Sequence, residues 1–164
     1  MKIIGNGAFF ECSSLAQVIL PESVERLGAG AFAGCRSLAS FSGKGVVIFE
    51  NFVFERTALT SFEIPEKTTK VSARTFLGTP VGEYTVQSGN TEFSAKDGVL
   101  FNADRSKLEI YPAEKEEKGY QIPEGCTEIG RYAFRDVKNL KSIDLTGVAS
   151  LPSRAVLPHS PSGK

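Results

Sequence analysis

Apolar and glycine positions recur along this chain with a fixed period. The segment Ile-Gly-Asn-Gly-Ala-Phe-Phe-Glu-Cys, which starts at Ile4, returns from Leu27 as Leu-Gly-Ala-Gly-Ala-Phe-Ala-Gly-Cys. Further copies follow, so that repeat starts lie near residues 4, 27, 48, 71, 129 and 151. A period between about 20 and 50 residues indicates a stack of similar small units.

Within each copy, the pattern predicts one strand and one turn. Leu15, Val18 and Leu20 follow the spacing L-x-x-[VFI]-x-L, which alternates from its middle onward as a half-buried strand does. Pro21 ends this strand, and Pro65 ends the corresponding one, because proline cannot donate to a ladder. The Ala-Phe-x-x-Cys segment suits a single helical or 3-10 turn. Since such a unit buries little alone, the strands are predicted to stack in parallel, one short strand per repeat.

An insertion interrupts the repeats between Val71 and Ile129, whose separation exceeds two periods. Two strand-like runs, around 99–102 and 107–111, are joined by four polar or small residues. This pattern predicts a β-hairpin in an insertion of about residues 90–112.

Positions that recur at the same place in each copy, here called columns, also predict the core. The inward aromatic column is predicted to be a stack of Phe9, Phe32, Phe76 and Phe134. In the third copy, Phe52 and Val53 are assigned to the Ala-Phe columns. Cys12 and Cys35 share one column, and they and Cys126 are predicted to be small buried side chains rather than nucleophiles or metal ligands.

Composition and charge favour no catalytic or cofactor chemistry. The 164 residues include 19 basic and 19 acidic side chains, and no predicted face collects Lys or Arg, so nucleic acid is an unexpected partner. No apolar run approaches the roughly 20 residues of a membrane helix.

Three cysteines without C-x-x-C spacing and one histidine, His159, support no metal site or acid-base triad. Asp97, Asp104 and Glu114 lack the spacing of a calcium loop and are assigned to turns and solvation. No catalytic, cofactor-binding or metal-binding residue is predicted.

These motifs carry a family resemblance. The pattern I-G-x-x-A-F-x-x-C-x-x-L-x-x-I-x-L-P resembles the repeat of BspA-type leucine-rich-repeat proteins, and residues 90–112 resemble their D-G-V-L-F-N hairpin module. The resemblance implies a leucine-rich-repeat solenoid, a horseshoe-like α/β fold that is mostly β with short helical or 3-10 turns. It would span residues 4–156 as a single unit, followed by a flexible tail at 157–164. Members of this family occur on cell surfaces, and several are implicated in adhesion to host matrix proteins.

A binding face follows from strand alternation. Outward positions of the strands are expected to line the concave side of the solenoid. The candidate protein-binding residues are small or polar: Gln17, Ile19, Ser40, Ser42, Ser61, Glu63, Glu83, Thr85, Ser142 and Asp144. They include few of the large anchors that dominate affinity, so the hairpin is a competing binding element.

The expected function is a non-catalytic protein-interaction or adhesion module with a protein ligand, such as a host extracellular or matrix protein. We expect it at the cell surface or secreted, as part of a longer protein, with no signal peptide in this chain. A spacer repeat without its own ligand is one alternative, and a carboxylate-dependent hydrolase is another. Because neither end carries a polar cap, we expect a fragment of a longer array or end-to-end self-association.

Overall fold

The computed structural model describes residues 2–155 and shows a parallel-strand solenoid of about six turns with almost no helix, which confirms the predicted fold class. Residue 156 and the predicted flexible tail, 157–164, lie outside the described residues. One short 3-10 helix, Ala73–Phe76, occupies an Ala-Phe turn within the described range. The strands, numbered along the chain, are β1 Ile3–Ile4, β2 Gln17–Ile19, β3 Arg26–Leu27, β4 Ser40–Ser42, β5 Ile48–Phe49, β6 Ser61–Ile64, β7 Glu83–Val86, β8 Phe93–Lys96, β9 Val99–Asn102, β10 Lys107–Ile110, β11 Gly119–Gln121, β12 Glu128–Ile129 and β13 Ser142–Asp144.

Four of the repeats contribute two strands each, one more than the pattern predicted. The predicted strand of the L-x-x-[VFI]-x-L segment is present, and we call β2, β4, β6, β7, β11 and β13 the triplet strands. A second, two-residue strand lies at the repeat starts near 4, 27, 48 and 129, and β1, β3 and β5 of this kind pair in parallel. The starts near 71 and 151 have isolated parallel bridges at Lys70 and Ser150 instead. We call β1, β3, β5 and β12 the start strands. Two residues are too short a run to show an alternating pattern in sequence.

The strand register corrects the assignment of the third copy. Leu27 pairs with Phe49 rather than with Ile48, so the third copy is displaced by one residue from the predicted alignment. Val53 and Phe54 therefore occupy the Ala-Phe columns, and both are fully buried. Phe52 instead has a left-handed backbone with φ of 64°, as Gly30 has in the preceding copy. The assignment was ambiguous because residues 46–49 are continuously apolar.

The predicted hairpin is confirmed and is larger than expected. β9 and β10 pair antiparallel around the predicted loop, and β8 adds a third antiparallel strand to β9. On its other edge, β10 pairs in parallel with β12, with Leu108 opposite Ile129. The second hairpin strand thus also serves as the start strand of a solenoid turn.

The hairpin separates two hydrophobic clusters. Leu100 and Ile110 pack into the cluster of the first repeats, whereas Val99, Phe101 and Leu108 pack into the cluster of the last repeats. Side chains alternate between the two faces of a strand, so Leu100 points to the face opposite that of Val99 and Phe101. A register shift between Leu108 and Ile110 lets these two residues, which would otherwise share a face, point into different clusters.

The aromatic column differs from its predicted membership. Phe32, Phe54 and Phe76 stack in succession with ring-centroid distances of 6.0 and 5.7 Å. Phe9 stacks on Phe32 at 5.1 Å but is 40% exposed, so it is not a core residue in this structure. Phe134 is buried in the second cluster, where its stacked ring partner is a tyrosine, Tyr111, because the hairpin lies between it and the first stack.

The prediction that all three cysteines are buried is correct for two of them. Cys35 and Cys126 are buried, as predicted, and burial raises the pKa of both thiols. Cys12 is exposed, contrary to the prediction. It belongs to the same outermost turn as Phe9, where only one neighbouring turn packs against the column.

Candidate interaction surface

The predicted face is built by alternation along the triplet strands. The ten predicted residues lie in pairs on β2, β4, β6, β7 and β13. Nine of them are exposed and Ser42 is half-buried. The residues between the pairs point inward, and Val18, Phe62 and Tyr84 are buried. Apart from Ile19, which is 71% exposed, the face presents short polar or acidic side chains.

The structure does not join these residues into one continuous ladder. β2 pairs with β4, β6 pairs with β7, and β13 pairs with β11, each in parallel. β4 and β6 belong to successive turns, yet they are not paired. We call this interruption the ladder break.

Hydrogen bonds on either side show which backbone groups the ladder break leaves open. Ser42 O accepts from Leu20 N at 2.8 Å, so β4 directs alternate peptide groups toward β2. On the other side, Gln87 N donates to Ile64 O at 2.9 Å, so β6 directs its even-numbered positions toward β7. Alternate residues of a parallel strand face opposite neighbours, so the peptide groups of Ser61 and Glu63 face β4. Within residues 2–155, no backbone hydrogen bond crosses between the two strands.

A cleft of about 290 Å³ lies at the ladder break. Its base includes Phe41, a half-buried ring that packs against Phe54 at 4.8 Å and Phe62 at 6.0 Å. Its polar lining combines four of the predicted residues with two that the sequence did not indicate: Ser40, Ser42, Ser61, Glu63, Lys44 and Gln87. The cleft therefore offers a basic group, an acidic group, an amide and hydroxyls above an aromatic base.

Two glycines shape the edge of this cleft. A Cβ at Gly45 would lie 1.9 Å from the carbonyl oxygen of Glu22, and a Cβ at Gly43 would lie 2.8 Å from the ring of Phe41. The chain therefore passes close to its neighbours here because no side chain intervenes. The Gly-Lys-Gly sequence at 43–45 was the available sequence signal for an irregularity at this point, together with the shorter spacing from Phe41 to Phe62 than from Val18 to Phe41.

The hairpin, the competing binding element, has a loop that is held by its own polar side chains. Asp104 accepts hydrogen bonds from the backbone and hydroxyl groups of Ser106, at 3.0 and 2.6 Å. These hydrogen bonds lower the pKa of the Asp104 carboxyl. Asn102 closes the loop by accepting from Lys107 N at 3.0 Å. The Asp104 carboxylate thus serves the turn, in agreement with its sequence assignment.

Other chemistry-bearing groups are dispersed. Glu114 forms an ion pair with Lys138, and Asp97 has a left-handed backbone at the turn before β9. Across residues 2–155, no group of three or more His, Cys, Asp or Glu side chains is arranged to hold a metal ion. In the same range, no helix has the length and apolar character needed to cross a membrane.

Solved structures with the same fold come from bacterial proteins. A pneumococcal vaccine antigen, PcpA, shares 24% identity and superimposes with a TM-score of 0.77 over 91% of this chain and 40% of its own. A leucine-rich repeat protein from Eubacterium ventriosum shares 28% identity, with a TM-score of 0.73 over 90% of this chain and 46% of its own. A leucine-rich cell surface protein from Faecalibacterium prausnitzii shares 26% identity, with a TM-score of 0.71 over 85% of this chain and 44% of its own. The chain therefore spans less than half the length of each.

Family models identify the repeat itself. No curated protein matches the sequence. The model of the BspA-type leucine-rich repeat region matches in six copies, over residues 1–97 and 114–156, and leaves out most of the hairpin. The matched segments carry both kinds of solenoid strand and the Ala-Phe turns described above. The chain belongs to the BspA-type leucine-rich-repeat family.

Proposed function

We propose that this chain is a non-catalytic protein-interaction module of a larger protein that is displayed on a cell surface or secreted, and that the ladder break is its main contact site. The observation that carries the proposal is the unpaired edge of β6 opposite β4, on the face predicted to bind. Unpaired peptide groups are strong hydrogen-bonding groups, so those between β4 and β6 can bind polar groups of a partner that enters the cleft, while neighbouring side chains supply selectivity.

The chemistry of the cleft favours a protein segment as its occupant. Ser40 and Ser61 are short, so a partner backbone can approach the open peptide groups closely. Lys44 and Glu63 offer charges of opposite sign, and Phe41 offers an apolar surface at the base. Such a mixed lining suits a polypeptide, which carries backbone donors and acceptors together with varied side chains.

The relatives support the proposed location. One similar structure is that of a cell surface protein and another that of a vaccine antigen. A host extracellular or matrix protein is accordingly the proposed ligand class. The alternative of a spacer without a ligand predicts that the polar face binds nothing.

Binding to an immobilised panel of fibronectin, laminin and collagen tests the proposal. The variant Ser40→Arg/Ser61→Arg fills the cleft with long side chains. The matched control, Ser14→Arg/Ser37→Arg, adds the same charge at exposed serines outside the triplet strands. We expect the wild type and the control to bind at least one panel protein, and the cleft variant to bind it at least tenfold more weakly. Absence of binding across the panel would support the spacer instead. Equal binding by both variants would place the contact site outside the cleft and contradict the proposed site.

Self-association has its own supporting observation. Phe10 and Ile3, 59% and 60% exposed, lie on the same outermost turn as the partly exposed Phe9. Burial of these apolar side chains against a second molecule would stabilise an end-to-end dimer. Light scattering over a concentration series is expected to show dimers of the wild type and monomers of Phe9→Ser/Phe10→Ser. A wild type that stays monomeric throughout the series would contradict this proposal.

A further inference from the structure

Four arginines from three separate turns converge on one tyrosine. The guanidinium carbons of Arg74, Arg131 and Arg135 lie 5.5, 5.7 and 5.4 Å from the centre of the Tyr132 ring. Arg154 donates a hydrogen bond from Nη1 to the Tyr132 hydroxyl at 3.0 Å. Any two of the first three guanidinium groups are therefore at most about 11 Å apart. We call these four residues the arginine cluster.

The backbone of the repeats produces this convergence. Tyr132 N donates to Arg154 O at 2.9 Å, just as Phe52 N donates to Arg74 O at 2.8 Å, so these side chains belong to one column of the solenoid. The guanidinium of Arg74 lies between two rings of that column, 4.8 Å from the centre of Phe52 and 5.5 Å from that of Tyr132. Stacking on aromatic faces orders the guanidinium and leaves its N–H groups available at the edge.

Within residues 2–155, the positive charge of the arginine cluster has no carboxylate partner. Among residues 2–155, the seven ion pairs include none of its four members. Asp136, which follows Arg135 in sequence, accepts a hydrogen bond from Gly78 N instead. The pKa of Tyr132 is lowered, first by the hydrogen bond from Arg154 and then by nearby positive charge. No sequence pattern indicates this cluster, because its members come from three turns that lie about 20 to 57 residues apart along the chain.

We propose that the arginine cluster binds the sulfate groups of a sulfated polysaccharide. Planar guanidinium groups match the oxygen geometry of sulfate and phosphate with paired hydrogen bonds. Arg131, Arg135 and Arg154 are exposed, so the cluster presents several oxyanion contacts on an open surface, as a repeating polyanion requires. The Tyr132 ring at the centre of the cluster is 7% exposed and has three guanidinium groups within 5.7 Å of its centre, so it offers little surface for the base stacking that single-stranded nucleic acids use.

This site is independent of the ladder break. The cluster lies in the turns that follow the repeat starts near 71, 129 and 151, and none of the ten predicted face residues contributes to it. A protein ligand at the cleft and a polyanion at the arginine cluster are thus separable by mutation.

Calorimetric titration with a heparin dodecasaccharide tests the proposal. The cluster variant Arg131→Gln/Arg135→Gln removes two exposed charges. The matched control, Arg36→Gln/Arg105→Gln, removes two exposed arginines that form no ion pair within the described residues. We expect the cluster variant to bind the dodecasaccharide at least tenfold more weakly than the wild type, and the control to change affinity less than twofold. Equal affinities of the two variants would overturn the proposal.

Competition on the unmodified protein provides a test that does not depend on the variants folding. Desulfated heparin of the same length is expected not to bind, since the sulfate groups are the recognised feature. Tighter binding of an oligonucleotide of equal charge would overturn the assignment in favour of nucleic acid. Full displacement of the dodecasaccharide by low millimolar inorganic sulfate or phosphate would likewise overturn it in favour of a site for small free anions.

Discussion

Truncation of Phe54 is the sharpest test of how this solenoid is held together. Its side chain is fully buried and has five aromatic neighbours, with ring-centroid distances from 4.8 to 6.0 Å. These neighbours come from the turns before and after its own as well as from the facing strands. Phe54→Ala therefore removes contacts in three successive turns at once.

The expected cost follows from burial. Replacement of a buried phenylalanine by alanine costs about 3–5 kcal/mol, and the dense aromatic surroundings of Phe54 place it in the upper half of that range. Phe9 is the matched comparison, since it occupies the same column but is 40% exposed and stacks on one ring, that of Phe32. Full burial of such a side chain contributes about 1.5–3 kcal/mol, so Phe9→Ala should cost about 1–2 kcal/mol.

Urea unfolding followed by far-ultraviolet circular dichroism measures both variants against the wild type. We expect the free energy of unfolding to fall at least twice as much for Phe54→Ala as for Phe9→Ala. The comparison also tests the register, because the sequence pattern alone assigns Val53 rather than Phe54 to the aromatic column. Equal losses of unfolding free energy in the two variants, or a loss below about 1 kcal/mol for Phe54→Ala, would refute the assignment of Phe54 to the core.

Three further predictions concern thiols, glycines and pH. Ellman's reagent should titrate one thiol, that of Cys12, in the native protein and all three in denaturant; rapid reaction of all three in the native protein would contradict the two burial assignments. Gly45→Ala should cost about 3 kcal/mol because its Cβ meets a carbonyl oxygen, whereas Gly5→Ala, which has open space, should be close to neutral in thermal unfolding. The hydrogen bond from Lys70 holds the pKa of Glu50 below its ordinary value of 4.5, so Glu50 stabilises the folded state above pH 4.5 and loses that effect as pH falls through its folded pKa. Glu50→Gln should thus have a lower free energy of unfolding than the wild type at pH 7, and this difference should shrink as the pH falls below 4.5. A difference that stays constant with pH would argue against the Glu50–Lys70 pair.

Repetition made most of the fold predictable. An apolar position that recurs in several copies, such as that of Leu27 or Phe32, identifies inward-facing residues more securely than one segment could. The hairpin was likewise visible because its two runs have strand alternation and a turn between them. The outward residues of the triplet strands followed from the same alternation, and the structure places them on those strands.

The missed features depend on contacts between turns. The continuous apolar run at 46–49 is compatible with either register, and only the pairing of Leu27 with Phe49 decides between them. Phe134 occupies the same repeat position as Phe76, but the hairpin inserts between their turns, and Tyr111, which directly follows β10, is the stacking partner of Phe134. The ladder break and the arginine cluster depend on how separate turns are placed in space. No local pattern encodes that placement.

Hydrogen exchange at the ladder break tests the central claim of this account most directly. The claim is that β4 and β6 leave open peptide groups between them, where polar groups of a partner can bind. We predict that the amides of Ser61 and Glu63 exchange rapidly in the free protein, while those of Leu20 and Gln87, which donate to Ser42 O and Ile64 O, exchange slowly. Equal protection of all four amides would show a continuous ladder and contradict the account.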